Sequence, residues 1–237
     1  MQKLPLFNPI KMKEIIIKWT NIMSMMVWFL IQSCAPVTLV KPLKSKQLVA
    51  SASFGGPLIK FSGLVIPVPL TGLQVGYGLH EKTTLIGGLN LTSLAFGVGQ
   101  LDFGILQGIV NQDNSTKIGL SAFAKTHLFL DHWKSSFRWY PELGFNAYRQ
   151  IGNEKNLLYA GASSWFETKY PKTERTAGNT WVPMLHIGYQ RITEKWNFSY
   201  EFKWIAPQIS NKNIVVDYIG AGQNGALGLY FGLTRKF

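Results

Sequence analysis

Residues 196–204 read Trp-Asn-Phe-Ser-Tyr-Glu-Phe-Lys-Trp. Trp196, Phe198, Tyr200, Phe202 and Trp204 hold alternate positions, and Asn197, Ser199, Glu201 and Lys203 fill the gaps. A period of two sends the two sets to opposite faces of a β-strand. On a helix the same residues would mix aromatic and charged groups around the whole cylinder. The stretch is therefore a strand with one apolar face and one polar face.

Two settings accept such a strand. In a soluble sandwich the aromatics face a core and the charges face water. In a transmembrane barrel the aromatics face lipid, and Glu201 and Lys203 face the lumen. The composition favours the barrel. Of the 237 residues, 15% are charged and 14% aromatic, whereas soluble domains carry about 25% charge. Several strand-like stretches offer only Gly, Ala and Thr on their second face, where a sandwich would place charge.

The N-terminus has the features of a targeting segment. Lys3, Lys11, Lys13 and Lys18 precede an apolar run from Trp19 to Ile31, too short for a membrane span of about 20 residues. Met12 is an alternative start. Leu30-Ile31-Gln32-Ser33-Cys34 then resembles the lipobox of bacterial lipoprotein signals, with Gln32 where a small residue is usual. That resemblance implies cleavage before Cys34 and acylation of its sulfur. Cys34 is the only cysteine, so an intramolecular disulfide is excluded. Residues 1–34 are thus expected to be a signal peptide, 35–45 a tether and 46–237 the folded domain. The chain beyond residue 34 keeps 20 of the 24 basic and 11 of the 12 acidic residues, a net of +9. Such a charge suits anionic partners. No basic-aromatic pattern points to nucleic acid.

Alternation and turn signals give ten strands: 46–54, 70–80, 83–92, 97–108, 117–127, 137–148, 156–167, 180–192, 196–206 and 225–237. Short turns fall at 81–82, 152–155 and 193–195. Prolines 57, 67 and 69 mark 57–69 as a loop with a short edge piece at most, and Pro141 suggests a strand end or bulge. Extra short strands at 58–66 and 214–219 would give twelve, and eight also fits the pattern.

The chain closes on Leu227-Gly-Leu-Tyr-Phe-Gly-Leu-Thr-Arg-Lys-Phe237. Leu229, Phe231 and Leu233 share a face with the terminal Phe237. This stretch resembles the last strand of bacterial outer-membrane β-barrels, with Arg235 where an apolar residue is usual. The resemblance implies an all-β, transmembrane, antiparallel up-and-down barrel of about ten strands in the outer membrane. It implies periplasmic termini, recognition of the last strand by the barrel-assembly machinery, and contact with lipid and lipopolysaccharide. An even strand count returns the C-terminus to its starting side, with most long loops on the other.

In this reading Lys125, His127, Arg138, Glu142, His186, Gln190, Glu201 and Lys203 line the lumen. Buried charges pair, because an unpaired one is costly, so the first expectation is a plug of salt bridges and an envelope-structural or surface-binding role. A narrow path for ions or small solutes is the alternative. A hydrolase or acyltransferase is the third reading, because Asp131, His132, Ser135 and Ser136 are neighbours. Sequence neighbours do not make a triad, which is defined in space, so no catalytic residue is assigned. The four histidines lack metal-ligand spacing, and no cofactor is expected. Lys169, Lys172 and Arg175 form a basic surface loop that could meet lipopolysaccharide phosphates. Trp133, Trp139, Trp165, Trp181, Trp196 and Trp204 are expected at the interfacial girdles.

Overall fold

In the computed structural model of the chain, the residues described are 37–112, 117–152, 154–167, 181–212 and 216–237. The expected signal peptide with Cys34, and the basic residues Lys169, Lys172 and Arg175, lie outside them.

The strands are β1 (Leu48–Phe61), β2 (Leu64–Pro67), β3 (Leu70–His80), β4 (Thr83–Asn90), β5 (Val98–Val110), β6 (Gly119–Asp131), β7 (Ser136–Ile151), β8 (Asn156–Phe166), β9 (Trp181–Ile192), β10 (Trp196–Ser210) and β11 (Asn224–Lys236). From β3 to β11 each pairs antiparallel with its successor; β1 pairs with β3 and, through its extension, with β2, and β11 pairs back onto β1. The sheet is a closed antiparallel barrel of ten strands. Closure leaves no sheet edge unpaired. We call the end holding Leu48 and Phe237 the near end, and the other the far end.

The short strand β2 does not enlarge the barrel. It pairs only with the extension of β1, from Leu58↔Pro67 to Phe61↔Leu64. Ser62 and Gly63 turn this hairpin with positive φ, as tight hairpins require. Here the structure corrects the loop expected from the prolines. The β1–β3 pairing ends at Gly55↔Leu70, so Pro57 sits where β1 leaves the barrel. Gly55 is needed at that exit: its φ is 127°, and a Cβ there would collide with the Leu229 carbonyl. Pro141 likewise breaks nothing. Pairing with β8 starts only at Glu142, so Pro141 lies where, among the described residues, β7 has a partner strand on the β6 side alone. The reversal after β4 is a single helical turn, α1 (Leu91–Ala95), capped by the Asn90 carboxamide oxygen accepting from the Ser93 N–H at 2.8 Å.

The polarity is that of a membrane barrel. Phe103 and Ile105 on β5, Leu143 and Phe145 on β7, Ile187 on β9, Tyr200 on β10 and Phe231 on β11 all point outward and are exposed. In water an apolar belt around every side of a domain would be a liability; lipid requires it. The charged strand residues that are buried all point inward, where they share the interior with small residues and a limited set of bulky apolar ones, and ten strands enclose little space for them. Glycines opposite rings let the interior close. Gly119 lies against the Tyr148 ring and Gly188 against Tyr159, each pair directly across a strand boundary.

Candidate functional site

The interior of the barrel is filled in three layers. At the far end Trp165, Met184 and Ile205 pack with Phe129, Tyr140 and Val182. In the near half, two apolar groups line neighbouring walls: Tyr148, Leu157 and Tyr159 with Ile192 on β7–β9, and Ile86, Leu106 and Phe123 on β4–β6. Between them lies a polar layer.

One half of that layer is built on three adjacent strands. Asp102 on β5 stands directly opposite His127 on β6, and Lys125 on β6 opposite Glu142 on β7. The His127 Nδ1 is 2.7 Å from Asp102 Oδ1, and its Nε2 is 3.0 Å from Glu142 Oε2. Only an imidazolium can donate from both nitrogens. Gln100 donates to the same Asp102 oxygen at 3.1 Å. Trp165 stacks on the imidazole with 4.0 Å between ring centroids, and His127 is 1% exposed.

The other half centres on Glu201, 2% exposed. Its Oε1 takes the Lys203 ammonium at 2.9 Å and its Oε2 the Tyr159 hydroxyl at 2.8 Å. Asn146 lies in the same layer: it donates to Ser121 at 3.2 Å and accepts from His186 Nε2 at 2.8 Å. Among the buried described residues, three carboxylates (Asp102, Glu142, Glu201) face two ammonium groups (Lys125, Lys203) and one imidazolium. The lumen is charged but balanced.

The segment read as a tether is the third component. Val37 to Leu43 runs inside the barrel from mid-lumen to the near rim, then turns at Lys44–Gln47 into β1. Thr38 donates its N–H and its hydroxyl to the two Glu201 oxygens, each at 3.2 Å. The Val40 carbonyl accepts from Ser121 Oγ at 2.6 Å, and the Leu43 N–H donates to Thr84 Oγ1 at 2.8 Å. Leu39 joins the Phe123 group and Val40 the Tyr148 group. This strap spans both near walls and fills the space between them.

Of the eight expected lumen residues, Lys125, His127, Glu142, His186, Glu201 and Lys203 are buried inside. Gln190 is half-buried and inward, donating to Ser199 at 2.9 Å. Arg138 is exposed: it pairs across from Phe129 on the part of β6–β7 that runs beyond the end of β8. Its parity was right, but the strand is longer than the lumen. Trp165 is a second correction, turned inward on His127 instead of outward to a girdle. Alternation could have placed Asp102 inside, between Leu101 and Phe103. Thr38 carried no such signal. Asp131 spends one carboxylate oxygen on the Trp133 and Lys134 N–H groups, and His132 packs edge-on against Trp133. No triad geometry forms there. Leu229, Phe231, Leu233 and Phe237 all face out.

These features define a closed, outward-apolar β-barrel with a polar, occluded lumen. No family model matches the chain, and no curated protein matches it. Among solved structures the fold is similar to outer-membrane barrels. The NanC porin shares 8% identity over 80% of this chain and 100% of its own, with a TM-score of 0.43. An outer membrane channel from Pseudomonas putida F1 shares 10% over 86% and 100%, at 0.45. The outer membrane protease OmpT from Escherichia coli shares 11% over 85% and 98%, at 0.41.

Proposed function

We propose that this chain resides in the bacterial outer membrane, near end towards the periplasm, and forms a narrow channel for small polar solutes that the strap 37–43 holds nearly shut. The observation that carries the reading is the strap itself. A barrel that served only as a membrane anchor could fill its near half from its own wall. Here the near half is filled by a segment without regular structure, held by side chains that would otherwise face an aqueous lumen. Such a filling can be withdrawn without breaking the sheet.

Location is tested by fractionation and gel mobility. Protein in the outer-membrane fraction should migrate differently boiled and unboiled, because a closed sheet offers detergent no edge. Mass spectrometry of the same fraction should find an acylated Cys34 as first residue. A soluble periplasmic protein with no mobility shift would sink the reading.

Function is tested by permeability. Liposomes containing full-length protein should swell slowly in a small polyol, and those containing a variant lacking residues 37–43 severalfold faster. The far aromatic layer favours a second reading, a solid barrel with a structural role. Swelling of both proteins at the rate of protein-free liposomes would establish it.

A further inference from the structure

The lumen is lopsided. The wall from β5 to β8 carries the bulky and charged groups: Phe123, Lys125, His127, Glu142 and Trp165. The wall from β11 through β1 to β3 carries no buried charged group and several small ones, Ser51, Ser53, Gly72, Gly232 and Thr234, beside Gln74 and Tyr230. Two cavities lie along this second wall. The near one runs beside the strap, between Thr38, Ser51, Gln74, Ser199 and Thr234. The far one lies between Thr71, Asn90, Asp102 and Tyr230. Each has roughly the room of one or two water molecules. Ser53 borders both.

We propose that the solute path runs along this seam of β1, β3 and β11, past the strap, with Ser53 at its constriction, and that it takes small uncharged solutes bearing hydroxyl or amide groups. The inference rests on the channel reading and adds its route and solute class. Nearly every polar group on the route is a hydroxyl or a carboxamide, able both to donate and to accept. The one carboxylate, Asp102, already has His127 and Gln100 on its Oδ1. An ion would leave its hydration shell in a narrow, low-dielectric passage whose one lining carboxylate is already engaged by His127 and Gln100. An uncharged polyol or amide exchanges water hydrogen bonds for wall hydrogen bonds at little cost.

The test uses the full chain with one added cysteine. Ser53→Cys is nearly isosteric with the native side chain. Ser163→Cys, on β8 across the lumen, is the control; Ser163 is buried and Ser53 half-buried, so the labelling of each site is referred to its rate in denaturant-unfolded protein and to the charged reagents at the same site. Folded protein in liposomes is treated with a small neutral methanethiosulfonate and with its anionic and cationic counterparts. Peptide mapping separates the new site from Cys34. The neutral reagent should label Ser53→Cys faster than Ser163→Cys by on the order of tenfold, and faster than either charged reagent does. Equal labelling of the two sites would overturn the route. Faster labelling by a charged reagent would overturn the solute class. Swelling measured on the same liposomes keeps the two readings apart. Polyol entry without Ser53→Cys labelling leaves the channel standing and moves its path. Labelling without entry retires the channel reading.

Discussion

Glu201→Ala should cost the barrel about 3–5 kcal/mol, the usual loss when one partner of a buried ion pair is removed. Four contacts vanish together: the Lys203 ammonium, the Tyr159 hydroxyl, and the N–H and hydroxyl of Thr38. Lys203, itself 4% exposed, would lose its carboxylate and keep the face of Tyr230, 4.9 Å away. The folded, fast-migrating form should give way at clearly lower denaturant than wild type. Glu201→Gln should fall between, because the carboxamide oxygen still accepts from Thr38 or Tyr159 while the charge is gone. The double change Glu201→Leu with Lys203→Met should recover much of the loss, since replacing both members of a buried pair by apolar groups is often nearly neutral. That double variant still lacks the Thr38 acceptor. Its strap amides should exchange with solvent faster than wild type although its barrel is sound. An unchanged unfolding midpoint in Glu201→Ala would mean that Glu201 is not the clamp seen here.

This separation of barrel from strap also marks what the sequence can carry. Residues 196–204 specify a strand, its two faces and, with the low charge content, which face meets lipid. The same alternation puts six of the eight expected polar residues in the buried layer, because parity within a strand fixes the side. Parity does not say where along its length a strand passes the end of the lumen. Arg138 shares its face with Glu142 and yet stands outside, four residues further along a hairpin that outruns its neighbour. Trp165 misled by type: tryptophan suits a girdle, but its inward parity with Tyr159 and Ser163 was already visible. Prolines at 57 and 141 misled because the rule against them holds for uninterrupted two-sided ladders: Pro57 lies where β1 passes from β3 to β2, and Pro141 just before pairing with β8 begins. The strap left the least trace. Val37 to Leu43 has no period, and its place is set by partners over 40 residues away in sequence or more, from Thr84 to Glu201.

His127→Leu should be as damaging as Glu201→Ala, for a different reason. The imidazolium is the only group between Asp102 and Glu142, with a carboxylate oxygen at 2.7 Å on one nitrogen and 3.0 Å on the other. Leucine would leave two buried carboxylates facing an apolar side chain. Glu142 keeps Lys125 across the strand boundary, and Asp102 keeps Gln100, so the loss should be about 3–5 kcal/mol, not the full cost of two bare ions. Neutralising the set, with Asp102→Asn, Lys125→Met, His127→Gln and Glu142→Gln together, should restore most of the stability, because the amides satisfy one another and no desolvated charge is left without its partner. Unfolding in denaturant would measure both. The sharper use of these variants is permeability. Their residues line the wall opposite the seam at Ser53, except for Asp102 at the border of the far cavity. Polyol entry through this quadruple variant, in which two carboxylates and two cations are removed together so that the net lumen charge is unchanged, should therefore stay within the range of the wild type. If entry rises steeply instead, the charged wall is the barrier to flow, and the seam is only the place where the interior packs least tightly.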